Sequence, residues 1–267
     1  MNKEELKKVL KERTGTGVQI IEKDTKFQFI CDGCRDGSSD CCCNRKNDPI
    51  IINPYDVYKL QKGLGKNSRE IIDEHCIPIL GGQSGYPLLL LKAKKIQRPY
   101  IVEEVCTFLQ RTTDENGKSR RYCSVHDFKP GVCSIFPLGR VQSPGDEMIY
   151  FLQDINCGLK PTEKDPKITI KEYVPNLENE DAAFLKYYEV MSKISKVVAL
   201  DKLNSSQKIP QGLKNIFCVL FLYILCDFDS DKDYFEQLDE NAELVISFMK
   251  EGLLLELAQF DEDVVVK

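Results

Sequence analysis

The sequence predicts an α+β protein: a metal-stapled cysteine-cluster domain with short strands and helices, followed by a helical C-terminal region. Three observations carry that expectation. Nine of the twelve cysteines fall into two groups between Cys31 and Cys157. Short apolar runs broken by Gly, Pro, Asn and Asp surround those groups. After Pro161 the apolar residues recur at helical spacing instead. The implied organisation is a helical lead-in over 1–26, a cysteine-cluster domain over 27–160 and a helical region over 161–267.

Residues 3–12 read as a polar helix broken at Gly15-Thr16-Gly17. Val18 to Ile21 and Lys26 to Phe29 read as short strands, the second delivering the chain to Cys31. From Asp32 to Pro49 almost nothing is apolar, so a metal is expected to organise this loop. Ile50-Ile51-Ile52 is a short strand or a lead-in to a helix. Asn53-Pro54 reads as a helix cap followed by proline at the first helical position, opening a helix that ends at Gly63. Asn67 opens another, running to about Cys76. Pro87 to Lys92 and Tyr100 to Val102 read as strands flanking a turn. Asp114-Glu115-Asn116-Gly117 carries a hairpin signal. Lys129-Pro130-Gly131 is a turn presenting Cys133, and Met148 to Leu152 a strand running towards Cys157. Beyond Pro161, Phe184 to Val198, a segment opened by Pro210, and Phe235 to Met249 mark three helices. The loop Gly81-Gly82-Gln83-Ser84-Gly85 lacks the strand–loop–helix context of a phosphate-binding turn.

Composition narrows the function classes. The chain of 267 residues is 42% hydrophobic and 30% charged, which predicts a packed core. Its net charge of -5 gives no general reason to expect nucleic-acid binding. The charged N-terminus has no apolar signal region, and the longest apolar run, Ile216 to Cys226, falls short of the roughly 20 residues that cross a membrane. A soluble, cytoplasmic protein with reduced thiols is the expectation, so disulfides explain the cysteines poorly. Charge is uneven: Tyr86 to Val141 holds 10 Lys/Arg against 5 Asp/Glu, a local +5, and Lys171 to Lys267 holds 10 against 19, a local −9. Cations near a net-negative thiolate centre would stabilise it.

Cys31, Cys34 and two of Cys41, Cys42 and Cys43 make one four-thiolate set; Cys106, Cys123, Cys133 and Cys157 make another. Thiolates are soft ligands that suit zinc or an iron–sulfur cluster. Eight sulfurs fit two tetrahedral ions or two clusters, or one centre with spare cysteines, and the two sets can interleave. The second set consists of widely spaced singles rather than close pairs, which tilts the reading towards iron–sulfur. Cys218 and Cys226, inside the apolar helix, and Cys76 read as core residues. His126, three residues after Cys123, is a candidate Cys/His ligand partner or an ordinary surface residue.

At these residues the chain resembles the CxxCxxCC family of zinc- or iron-chelating, YkgJ-like cysteine-cluster proteins. The matching residues are the block Phe29 to Cys43, Ile52-Asn53-Pro54-Tyr55-Asp56-Val57 with Leu60 and Leu64-Gly65, Cys106-Thr107-Phe108-Leu109, Cys123-Ser124-Val125-His126, Lys129-Pro130-Gly131-Val132-Cys133, Phe136-Pro137-Leu138-Gly139-Arg140 and Cys157. They span roughly 27–160. The pattern departs in two places: six residues separate Cys34 from Cys41, and a third adjacent cysteine is present. The family includes proteins similar to flagellin lysine N-methylase. The resemblance therefore implies a metal centre and permits a methyl-transfer or redox enzyme acting on a protein. Arg140 or Arg121 would then hold the carboxylate of S-adenosylmethionine, and the acidic helices would draw a lysine-rich partner. The competing expectation is a zinc-stapled interaction module without catalysis.

Overall fold

The computed structural model describes residues 3–14, 19–29, 42, 49–82, 84–97, 100, 102–113, 115, 117, 119–142, 148–153 and 162–265. Its elements run α1 (Lys3–Thr14), β1 (Gln19–Ile21), β2 (Ile51–Ile52), α2 (Pro54–Leu64), α3 (Ser68–His75), β3 (Cys76–Gly81), β4 (Tyr86–Leu91), β5 (Ala93–Gln97), β6 (Val102–Cys106), β7 (Leu109–Thr113) and β8 (Ser119–Cys123). There follow α4 (Gly131–Ile135), β9 (Leu138–Gln142), β10 (Met148–Leu152), α5 (Ile170–Tyr173), α6 (Leu177–Ser195), α7 (Leu200–Ser205), α8 (Gln211–Leu225), α9 (Tyr234–Phe248) and α10 (Leu254–Phe260). A π-helical turn, Met249–Leu253, separates the last two helices. The architecture is α+β, with small antiparallel sheets and a helical C-terminal region. Among the described residues no helix is long and apolar enough to cross a membrane.

The chain divides into two compact units, each built from two separate stretches. The first comprises Met1–Asp48 and Ala93–Leu185, the second Pro49–Lys92 and Lys186–Lys267. Residues 49–92 group with the C-terminal helices, where α8 packs against β3 and β4 and Leu89 and Leu91 are buried.

In the first unit β1, β10 and β9 form a three-stranded antiparallel sheet with β10 in the middle. Its five residues, Met148-Ile149-Tyr150-Phe151-Leu152, are apolar throughout because both faces are covered. Ile149 and Phe151 pack with Leu6 and Leu10 of α1 on one face. Met148 and Tyr150 pack with Ile135 of α4, Ile170 of α5 and Leu177 of α6 on the other. Two hairpins, β5–β6 and β7–β8, complete the unit. The Asn116-Gly117 hairpin signal holds: β7 and β8 pair from Leu109↔Cys123 to Thr113↔Ser119. The strand expected at Lys26 to Phe29 reduces to a single bridge, Phe27↔Ile168. The Lys129-Pro130-Gly131 turn is the entry to α4, so Cys133 stands on a helix.

In the second unit β4 lies between β2 and β3, and α8 packs against β3 and β4. β3 carries Pro78, and as an edge strand it tolerates the missing N–H. Tyr100 to Val102 is no partner for β4; Tyr100 is 96% exposed, and Val102 opens β6 instead. The Asn53 cap holds as expected. Its side chain accepts from the Asp56 N–H and Asp56 accepts from the Asn53 N–H, both at 3.0 Å. The helix passes through Gly63 and stops at Gly65, whose left-handed φ of 65° few other residues adopt cheaply. Buried Gln61 and Asn241 donate to the backbone carbonyls of Phe228 (2.7 Å) and Asp227 (2.9 Å), tying α2 and α9 to the α8–α9 turn.

Gly85 lies at φ 68°, and a Cβ there would fall 1.9 Å from the Leu200 carbonyl oxygen. Gly85→Ala is expected to cost about 2–4 kcal/mol from left-handed strain plus overpacking. Gly212→Ala, in open space on α8, should gain up to about 1 kcal/mol. Urea midpoints should move in opposite directions; a shared direction would refute this account of the two sites.

Candidate metal centre

All nine candidate ligands lie in the chain ranges of the first unit, and the three cysteines read as core lie in the second. Cys31, Cys34, Cys41, Cys43 and Cys157 fall outside the described residues. Cys42, Cys106, Cys123 and Cys133 are described, and three of them are placed at turns that can be traced bond by bond.

Cys106 closes β6, paired with Ala93, and Cys123 closes β8, paired with Leu109. Only Thr107 and Phe108 separate the two hairpins, so the two cysteines stand at the bases of consecutive ribbons. That two-residue link is fixed from three sides. The Ser124 N–H and hydroxyl both donate to the Phe108 carbonyl, each at 3.0 Å. Lys94 donates its ammonium to the Thr107 carbonyl (3.2 Å) and to that of Leu109. Val105, Phe108, Leu109 and Val125 are all buried. The Cys106 N–H donates to the Cys42 carbonyl at 2.8 Å, joining the first cysteine group to the second. Cys133 lies further along, on α4, its N–H held by the Pro130 carbonyl at 2.8 Å.

Cys106 is buried; Cys42, Cys123 and Cys133 are half-buried. Soft sulfur donors on backbone-fixed turns fit a thiophilic metal in chemistry. Among the described residues, no three His, Cys, Asp or Glu side chains gather as a ligating group. His126 occupies a 3-10 turn with a half-exposed ring, Nδ1 being 3.8 Å from the Asp127 carboxylate. His75 belongs to the second unit, and burial holds its pKa below the usual imidazole value.

Both arginines expected to hold an anion are already engaged. Arg121 of β8 forks onto Glu103 of β6 at 2.8 and 3.1 Å, tying the two hairpins together. Arg140 of β9 is 7% exposed and lies 3.2 Å from Asp181 and 3.5 Å from Glu180. Its guanidinium also stacks over Phe184, 4.8 Å from the ring centre. Lys94, a half-buried cation at the hairpin bases, is one that sequence reasoning missed. The positive balance of residues 86–141 held that signal without selecting a residue. Glu180 and Asp181 were equally invisible, because two acids at the start of a helix read as solvated. Compared with known proteins, the chain matches no family model, no curated protein and no solved structure.

Cys76, Cys218 and Cys226 behave as core residues. All three are nearly inaccessible free thiols. Burial pushes the Cys76 and Cys218 thiols up to about 12 and the Cys226 thiol higher still. Native alkylation near neutral pH should therefore spare these three, read by peptide mass spectrometry. Because the fold keeps protons that the unfolded chain releases, their contribution is complete below pH 9.0 and declines as pH rises towards about 12. Labelling of these thiols as fast in the native as in the unfolded chain would contradict this.

Proposed function

We propose that the first unit binds an iron–sulfur cluster or zinc through cysteine thiolates, drawn from both groups into one interleaved set. The observation that supports this best is the Cys106 N–H bond to the Cys42 carbonyl. It sets a residue of the first group against a residue of the second, across the whole excursion of residues 49–92. The candidate ligands for that set are Cys31, Cys34, Cys41, Cys42, Cys43, Cys106, Cys123, Cys133 and Cys157. Two further points favour it. The buried, high-pKa thiols are segregated into the other unit, and a fixed ammonium, Lys94, lies beside the turn that carries Cys106. The resemblance to the CxxCxxCC cysteine-cluster proteins points the same way.

The methyl-transfer reading has weaker support. It needs a cation open to the carboxylate of S-adenosylmethionine, and Arg121 and Arg140 are each neutralised by carboxylates. The bound metal would supply structural cross-linking or electron storage. The residues of this chain orient the thiols, shield them and offset their charge.

Elemental and acid-labile sulfide analysis of anaerobically prepared protein, with its absorption spectrum, tests the proposal. Iron with sulfide, or zinc, is the expected result. Cys106→Ser and Cys133→Ser should lower the content sharply, and Cys218→Ser should leave it intact while costing packing stability. A chain free of transition metal after expression with metals supplied rejects the proposal. Equal loss in all three variants rejects the assignment of ligands.

A further inference from the structure

The first unit buries a second constellation of charge away from the cysteine turns. Glu180 and Asp181, adjacent at the start of α6, are each 5% exposed. Asp181 accepts from Arg140 (3.2 Å), from Lys23 (3.2 Å) and from the Tyr150 hydroxyl. Glu180 lies 3.5 Å from the other terminal nitrogen of Arg140. Burying charges in this way is a poor route to stability, since well-packed apolar side chains usually serve as well. What charges add is direction. The direction here is towards α4: a Cβ on Gly131 would fall 2.2 Å from Glu180 Oε2 and 3.0 Å from Arg140 Nη2. The carboxylate therefore occupies the place of the missing side chain, and only glycine lets α4 approach so closely.

The contact reaches Cys133 within one turn. The Cys133 and Ser134 N–H groups both donate to the Pro130 carbonyl at 2.8 Å, and the Ser134 hydroxyl to the Lys129 carbonyl at 3.2 Å. Residues 129–134 thus move as one piece. A displacement at Gly131 becomes a displacement of the Cys133 sulfur.

We infer that Glu180, held by Arg140, and the bare α-carbon of Gly131 act as positioning residues that set where Cys133 presents its thiolate to the metal. The inference rests on the metal reading above and extends it to residues that never touch the metal. It gives the Lys129-Pro130-Gly131 turn and the buried Arg140 a role other than anion binding.

The test compares the full-length, metal-loaded chain with three variants: Gly131→Ala, the double variant Gly131→Ala with Glu180→Ala, and Leu10→Ala. The last removes packing from the opposite face of the sheet in the same unit. Two quantities are read: the rate of metal loss to a chelator, and alkylation of Cys133 by peptide mass spectrometry. Gly131→Ala should release metal about 10-fold faster, with Cys133 labelled ahead of Cys106, as expected when the support of a ligand is disturbed. Deleting the Glu180 carboxylate makes room for the new methyl group, so the double variant should recover part of the retention, a non-additive result. Leu10→Ala should lower thermal stability and leave Cys133 protected. The inference is overturned if the double variant is no better than the single, or if Leu10→Ala exposes Cys133 equally. Should Gly131→Ala fail to fold, recovery of folded, metal-loaded double variant supports the inference and its absence defeats it. A wild-type chain without metal defeats the metal reading itself, whereas a loaded wild type with an unaffected Gly131→Ala defeats this inference alone.

Discussion

A buried amide at the end of a strand must find an acceptor, and leaving it without one costs about 1–3 kcal/mol. In β6 the last such amide belongs to Cys106, and its acceptor is the carbonyl of Cys42. Among the described residues, that bond ties the first cysteine group to β6. It brings the first stretch of the unit against the second after the chain has left to build β2, α2, α3, β3 and β4 elsewhere. With Cys106 fixed, the two-residue link fixes Cys123, and the Arg121 fork onto Glu103 stops the second hairpin rotating away from the first.

The cations near the cysteines divide by role once their partners are known. Arg121 and Arg140 present planar forks, and each fork is matched to carboxylates within the fold. Lys94 is a compact charge whose donors are turned onto the backbone carbonyls of Thr107 and Leu109, which sets its field beside the turn that carries Cys106. The positive balance read along residues 86–141 is thus partly structural bookkeeping within hairpins, and partly a local field at the thiols.

Local chemistry made much of this fold legible. Asn53-Pro54 and Asn67 with Glu70 each specify their own cap within a few residues, and each cap formed as read, while β7 and β8 pair on either side of the Asn-Gly signal. The apolar periodicity of α6, α8 and α9 was equally plain. What failed was pairing. Nothing near Leu88–Leu91 names β3 as the neighbour, and Pro78 argues against it; only the edge position of β3, a property of the whole sheet, reconciles the two. The core placement of Cys218 and Cys226 was legible for a related reason: they sit in an apolar helical run, and a thiol there has nowhere to go but the core. The buried pairs Arg140–Asp181 and Arg121–Glu103 left no trace, because an ion pair between distant elements has no sequence period.

The alternation of the two units along the chain has a consequence for how the molecule is made. Synthesis proceeds from the N-terminus, and domains generally fold as units while they emerge. Residues 1–48 leave the ribosome first, yet the sheet they belong to needs β9 and β10, and the acceptor at Cys42 waits for Cys106. The intervening stretch, 49–92, must wait longer, for α8 and α9 near the far end. Neither unit can close on a finished half. The first stretch of the sheet-bearing unit therefore emerges well before the strands it pairs with, and its closure is timed by elongation.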